Sequence, residues 1–487
     1  MKGAPVDVRR LAAPGIGLVA LALYWLSAYP DVAGGDSGEL VAAAVTGGVI
    51  HPPGYPLYAL AGRVASWLPL AATAAGRDNL LSAFCDAGAA ALVCAAVSRR
   101  TASRTAGLAA GAAFAFAPIV WQYAICAEVF ALNDLLVAVL LWLAVRYDEA
   151  ADRRFALWGG LVTGLGLSNH HTFLFVAAPV AAWALWRGRD DLLRARPLLQ
   201  LAGGLAAGLL PYAYLPLAAG GASPVSWGAT ATCAGFWTHV LRREYGTLHL
   251  AVEGIAGASS SLATLGAWGE AVLAQFAIVG VVLPLAGALV CLRAGRRAPL
   301  GAVVVAAAVL SVGVVVALGN LPVTDALHRQ IVARFWQEPA LLLAVLCGEG
   351  LADIERRAPR HLVDAAAALL LLAPLPWRFG ALDRHGSTLV RSYGAEILRA
   401  APPGALLVTK GDLITNTVRY LQSVEGVRPD VKVVDQELLG YGWQRARLEK
   451  AHPEVVIPGA RYMPGAPDGF TIRDLFDASY GKQPILV

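Results

Sequence analysis

The sequence predicts a polytopic α-helical membrane protein with a small C-terminal α/β domain outside the membrane, and three observations carry that reading. Hydrophobic residues make up 57% of the 487 and charged ones only 15%, against roughly a quarter charged in an average soluble domain. Apolar stretches of roughly 17 to 25 residues, the length that crosses a hydrocarbon layer, recur up to about residue 381. The tail beyond them alternates short apolar runs with an amphipathic helical pattern.

Taken in order, the apolar segments fall at residues 11–29, 79–97, 104–121, 128–146, 155–168, 171–186, 197–217, 268–292, 299–319, 336–352 and 362–381. They predict a module of about eleven spans over residues 1–382, with 155–168 and 336–352 short enough to be re-entrant. Lys2, Arg9 and Arg10 precede the first segment, and Tyr24 and Trp25 stand near its outer end. An uncleaved first span is therefore expected in place of a cleaved signal peptide. Residues 383–487 form the second domain. Residues 405–409 read as a strand, Asp412–Ser423 as an amphipathic helix and residues 431–434 as a second strand, together a βαβ unit.

The +5 net charge is explained by where the arginines lie, so no nucleic-acid partner is implied. They concentrate in alternate loops, at 9–10, 99–104, 153–154, 187–196, 293–297 and 356–360, which the positive-inside trend assigns to the cytoplasm. Residues 30–78, the turn before Glu128, the turn at 169–171, residues 218–267, residues 320–335 and the tail after about 382 then face outward. The six cysteines are scattered without CxxC spacing, which supports neither a zinc site nor a disulfide framework.

Chemistry-bearing residues gather in the outward set. The first outer loop reads Gly34-Gly35-Asp36-Ser37-Gly38-Glu39, then an apolar stretch, then His51-Pro52-Pro53-Gly54-Tyr55-Pro56. Asp36 and Glu39, three apart, share one helix face. The same spacing before an apolar run also reads as a capping box, and His51 with its prolines as a stiff turn. Glu128, Asn169-His170-His171, Arg242, Arg243, His328, Arg329 and Arg334 are further outward-facing candidates. Arginines there run against the positive-inside trend, and a bound anion would explain them; a surface charge for each Arg, and a hydrogen-bonded turn for the His pair, are the alternatives. HExxH, Walker A and GxSxG patterns are absent, which removes the enzyme classes built on them.

The two first-loop motifs closely resemble those of a family of transmembrane protein O-mannosyltransferases, the one that in animals modifies IPT domains of plexin-type receptors. Further motifs follow in the same order: Trp121-Gln122 with Ala127-Glu128-Val129-Phe130-Ala131-Leu132-Asn133, then Gly166-Leu167-Ser168-Asn169-His170-His171-Thr172, then Leu209-Leu210-Pro211-Tyr212 and Trp227-Gly228. Phe236, Tyr245-Gly246-Thr247, Arg334-Phe335-Trp336, Lys410-Gly411-Asp412 and Gly426-Val427-Arg428-Pro429-Asp430 complete the series. The resemblance implies a glycosyltransferase-C architecture, a polyprenyl- or dolichyl-phosphate mannose donor and a Ser or Thr hydroxyl on a protein as acceptor. Two departures, Asp86 inside the second span and a chain shorter than the animal relatives', bear on acceptor specificity more than on chemistry.

Within that frame Asp36 is expected to be the base that takes the acceptor proton during direct displacement, with Glu39 and Glu128 assisting. His170, His171, Arg242, Arg243 and Arg334 are expected to hold the donor phosphate, and His51, Tyr55, Asn169, Trp227 and Tyr245 to contact substrate. No metal and no cofactor beyond the lipid-linked sugar is called for. An Ala- and Arg-rich composition points to a GC-rich bacterial genome and the plasma membrane; in a eukaryote the endoplasmic reticulum would be expected. The rival class is a transporter or glycolipid flippase, which would use charges inside spans, Asp86 and Asp134.

Overall fold

The computed structural model describes residues 11–150, 154–221, 223–247, 259–276, 279–295, 299–466 and 469–486. Lys2, Arg9, Arg10, Arg153, Arg296 and Arg297, which carry part of the loop-charge argument, lie outside the described residues. Each predicted apolar segment falls on helix. Six helices are long and apolar enough to cross a membrane: Ala74–Thr101, Val129–Ala150, Ala195–Ala219, Pro299–Leu318, Ala326–Glu355 and Arg360–Leu382.

Two predicted spans are broken. Arg104–Ala115 and Pro118–Ala124 meet at 62°, because Pro118 offers no amide hydrogen and pushes the residue before it out of the helical region. The segment at 268–292 falls on parts of two helices, Ser261–Gln275 and Gly280–Ala294, bent by 104°. Counting each bent pair once gives up to eight crossings among the described residues. The shortfall from about eleven has a further cause in length. Ala12–Ser27, Arg154–Asn169 and Leu174–Arg187 are apolar helices of 16, 16 and 14 residues, shorter than the roughly 20 that a perpendicular crossing needs.

Close helix contact is bought with small residues, since lipid leaves no hydrophobic force to drive helices together. Arg154–Asn169 packs on Ala195–Leu209 through Gly160, Gly164, Gly204 and Gly208, where an added Cβ would stand 2.2–2.4 Å from a facing carbonyl oxygen. That contact sets the turn at Asn169–His171 beside Tyr212, whose hydroxyl donates to the Leu167 carbonyl at 2.7 Å. At the head of the long Ala74–Thr101 helix, buried Asn79 donates to the carbonyls of Tyr29 and Asp31 at 2.8 and 3.0 Å and accepts from the Ala127 amide at 2.8 Å. The first outer loop and the Glu128 turn are thereby held side by side.

The tail forms the predicted βαβ unit. Leu406–Thr409 pairs in parallel with Lys432–Asp435, and with Ile485–Leu486 on its other edge, and Asp412–Ser423 makes the crossover. Its buried residues, Thr415 to Val418 with Tyr420 and Leu421, do not all face the sheet. Asn416 faces the Ser37–Thr46 helix, where a Cβ on Gly38 would stand 2.4 Å from the Asn416 carbonyl oxygen. Gly38→Val should therefore loosen the tail domain at a cost of about 1–3 kcal/mol, the usual range for overpacking. Limited proteolysis in detergent is expected to release the domain faster than from the parent; parental kinetics would show that the contact can give way.

Candidate active site

The centre of the site is a buried guanidinium. Arg334 sits in a single 3-10 turn, Arg334–Trp336, between the Ala326–Ala333 and Gln337–Glu355 helices. Its Nη1 donates to Asp36 Oδ2 at 2.5 Å and to Glu128 Oε1 at 3.4 Å. Asp36 occupies the position before the Ser37–Thr46 helix yet makes no side-chain cap. The capping-box reading is thus replaced by an ion pair: a charge 17% exposed needs a partner more than a helix end needs a cap.

Electrostatics differ among the carboxylates. Burial alone would raise the Asp36 carboxyl, but Arg334 and His51 outweigh it and hold it below the usual carboxylate range. Glu128, just ahead of the Val129–Ala150 helix, is raised to about 7 by burial, with Arg334 opposing and Asp36 adding; its Oε2 has no hydrogen-bond partner. Glu39 faces elsewhere. Its Oε1 accepts from the His51 amide and its Oε2 meets His51 Nδ1, both at 2.8 Å. Burial would lower the imidazole, but Glu39, with Asp36 behind it, raises it to about 9.

Rings line the rest. The Tyr55 ring meets His51 edge-on at 5.1 Å and stacks on His170 at 5.6 Å, and Phe130 and Phe335 close on His170 at 5.0 and 6.0 Å. Tyr55 and Arg242 both hold left-handed backbone, φ 40° and 52°, an unfavourable conformation for such residues that tends to persist where surroundings enforce it. The Arg242 guanidinium lies 5.3 Å over the Tyr245 ring, and its charge is felt at Tyr55. Trp227 stands 6.1 Å from His51.

The structure therefore brings together Asp36, Glu39, Glu128, His51, Tyr55, His170, Arg242, Arg334, Trp227 and Tyr245. Three expected residues stand differently. Arg243 is exposed, because the turn that aims Arg242 inward aims its neighbour out. His171 Nε2 is engaged with the Tyr212 hydroxyl at 3.0 Å, behind the cluster's edge. Asn169 is fully buried and donates to the Val129 carbonyl at 3.0 Å, so it fixes the Glu128 turn and does not line open space.

Two groups were missed by sequence reasoning. His239 donates through Nε2 to the Ile50 carbonyl at 2.9 Å, bracing the loop at His51; a lone histidine in Phe236 to Tyr245 gave no signal. Asp412 comes from the tail domain, where the Lys410-Gly411-Asp412 motif was visible but had no role. Protein atoms crowd its carboxyl while leaving it open to water. That crowding, with Asp36 and Glu39 nearby, raises it to about 6.

The His51–Glu39 pair makes a pH prediction. A histidine raised from 6.5 to about 9 adds stability that is complete below pH 6.5 and lost as pH rises through 9. The melting temperature in detergent should therefore fall between pH 7 and pH 10, and Glu39→Gln should flatten that slope. A slope unchanged by Glu39→Gln would show that the pair is not its source.

The chain is similar to known proteins in both sequence and fold. Residues 36–193 match the family model of the protein O-mannosyl-transferase TMEM260 N-terminal domain, and residues 390–455 match TMEM260-associated domain 2. The protein O-mannosyl-transferase TMEM260 of Mus musculus is 33% identical over 459 residues, 91% of this chain. The protein O-mannosyl-transferase tmem260 of Dictyostelium discoideum is 29% identical over 507 residues, 96% of this chain. The chain spans 65% and 62% of those relatives' own lengths. Among solved structures, ArnT from Cupriavidus metallidurans bound to undecaprenyl phosphate superposes with a TM-score of 0.59 at 13% identity, covering 94% of this chain and 97% of that one. Its apo form gives 0.57 at 14% identity, covering 92% and 96%. These two show the fold alone, glycosyltransferase-C in type. Two family domains matched in order and relatives aligned along nearly all of its length make the chain similar to the transmembrane protein O-mannosyltransferases that its motifs resemble.

Proposed function

We propose that this protein is a membrane glycosyltransferase that moves mannose from a polyprenyl- or dolichyl-phosphate carrier to Ser or Thr hydroxyls of proteins, on the extracytoplasmic side. The observation that carries the reading is the buried Asp36–Arg334–Glu128 cluster. The names of the relatives support the reaction, and the undecaprenyl phosphate named with the ArnT structure supports the class of carrier.

The chemistry follows from sharing one cation. A donor phosphate reaching Arg334 competes with Asp36 and Glu128 for its hydrogen bonds, and charge-assisted contacts to phosphate are among the strongest available. Arg242 adds a second positive charge, and His170 adds a ring nitrogen at the edge. As Arg334 turns to the phosphate, Asp36 loses its counter-ion and gains basicity. The acceptor oxygen attacks the sugar's anomeric carbon, the carbon–oxygen bond to phosphate breaks, the carrier leaves as lipid phosphate, and the hydroxyl proton passes to Asp36. Glu128 is the alternative base. Glu39 keeps His51 charged and in place. Asn169 and Tyr245 act by fixing Glu128 and Arg242, and Tyr55 and Trp227 offer rings to substrate. Nothing in this scheme uses a metal or a cofactor besides the donor.

Three measurements test it. With purified protein in nanodiscs, polyprenyl-phosphate mannose and a Ser/Thr peptide, Asp36→Asn should lower turnover by ~10²-fold or more while donor binding stays equal or tightens, since Arg334 has one competitor fewer. Retention of more than about a tenth of parental turnover, less than a general base normally contributes, would move that role to Glu128. Arg334→Ala should weaken donor binding by about 1.5–3 kcal/mol, the worth of a charged hydrogen bond, and leave peptide binding nearly unchanged; equal losses on both would remove the phosphate role. For topology, a cysteine at Gly469 in a Cys233→Ser background should react with an impermeant reagent in intact cells, because the other cysteines are buried. Reaction only after permeabilisation would put the site on the cytoplasmic side. The flippase reading would use Asp86 and Asp134, both buried with no hydrogen-bond partner, and predicts lipid movement without sugar transfer in the same nanodisc and vesicle preparations.

A further inference from the structure

The carboxylates around the site are not equally available. Asp36 and Glu128 share Arg334, and Glu39 is bound to His51. Among the described residues Asp412 has neither hydrogen bond nor ion pair, and its side chain is open to solvent. It begins the Asp412–Ser423 helix, which is locked to the first loop where Asn416 Nδ2 donates to the Gly35 carbonyl at 3.1 Å and a Cβ on Gly38 would stand 2.4 Å from the Asn416 carbonyl oxygen. Its place is thus set by the same loop that carries Asp36.

A second contact joins the tail domain to the loops of the membrane module. Tyr441 and Trp443 stack at 5.7 Å and 20°, and the Trp227 ring closes on them at 6.3 and 5.7 Å. Trp443 Nε1 donates to Glu244 Oε1 at 3.0 Å, and Arg447 donates to the Ser226 carbonyl. Two polar atoms here are shielded from water and unpaired, the Trp227 Nε1 donor and the Glu244 Oε2 acceptor. Leaving such groups unpaired is unfavourable. A peptide unit carries one acceptor and one donor, which matches that pair.

Resting on the reading above that the protein glycosylates a polypeptide, we infer that the acceptor chain binds in the seam between the tail domain and the outer loops, on Trp227, Tyr441 and Trp443, with Asp412 accepting a hydrogen bond from it. Charge decides between the two substrates. A donor phosphate brought to Asp412 would face Asp36 and Glu39 as well, whereas Arg334 and Arg242 attract it elsewhere. A neutral hydroxyl or amide suits an unoccupied carboxylate, and flat rings give a peptide large contact area at low entropic cost. The proposed reaction thus draws its donor site from the membrane module and its acceptor site largely from the tail.

The test uses the full chain in nanodiscs with polyprenyl-phosphate mannose and a fluorescent Ser/Thr peptide. Asp412→Asn keeps the shape of the side chain, and Trp443→Ala removes the platform; Trp443→Phe, which keeps the ring and loses the bond to Glu244, guards against misfolding. Each of the first two should raise the acceptor KM and the peptide Kd at least tenfold. The donor KM and the slow transfer of mannose to water should stay within twofold of the parent. Parental acceptor KM in a protein that transfers sugar overturns this inference and leaves the function standing. An equal rise in donor KM also overturns it, by placing the sugar on the rings. Peptide binding lost in the variants but no transfer by the parent sinks the function and keeps the seam. A parent that neither binds peptide nor transfers sugar sinks both.

Discussion

One largely buried charge organises the end of this protein that carries the first loop. A guanidinium buried at the end of a membrane span is tolerable only when paired, and Arg334 finds its partners 298 and 206 residues away in sequence, at Asp36 and Glu128. Each partner comes from a different structural unit, one from the loop after the first helix and one from the turn heading Val129–Ala150. The pairing also leaves the cation incompletely satisfied, since the second contact is long. An arginine so placed is positioned for phosphate without being free to leave.

Other parts of the fold serve that cluster. Asn79 ties the first loop to the Glu128 turn with three hydrogen bonds, using an amide that has donors and an acceptor to spare. Asn169 holds the same turn from the other side. Glycine-mediated contact between Arg154–Asn169 and Ala195–Leu209 sets where that second tie can stand. These are polar groups buried where water cannot replace a lost bond, which is why small displacements of backbone there would be felt at the carboxylates.

The tail domain is joined to the membrane module by the tight fit of Gly38 against Asn416 and by an aromatic seam. A fit with no room for a methyl group behaves as a register mark: it admits one docking position. The result is a site with two halves of opposite character, cationic toward the spans and acidic and aromatic toward the tail, which suits the proposed transfer of a sugar from an anionic lipid carrier to a neutral hydroxyl.

Much of this was written into the sequence. Hydropathy marked where helix would form, because burial in lipid needs long apolar runs; short apolar runs around an amphipathic pattern marked the βαβ unit of the tail; and ordered motifs gathered Asp36, Glu39, His51, Glu128, His170 and Arg334 as one set. Local pattern could not show where helices bend, so 268–292 read as a single span and short helices were counted as full crossings. Nor could it separate a cap from an ion pair at Asp36, Arg242 from Arg243, or a lining residue from a bracing one at Asn169. It left Asp412 without a role. Those distinctions depend on which group meets which across hundreds of residues, and a carboxylate's partner, exposure and basicity are set by the atoms that folding places around it.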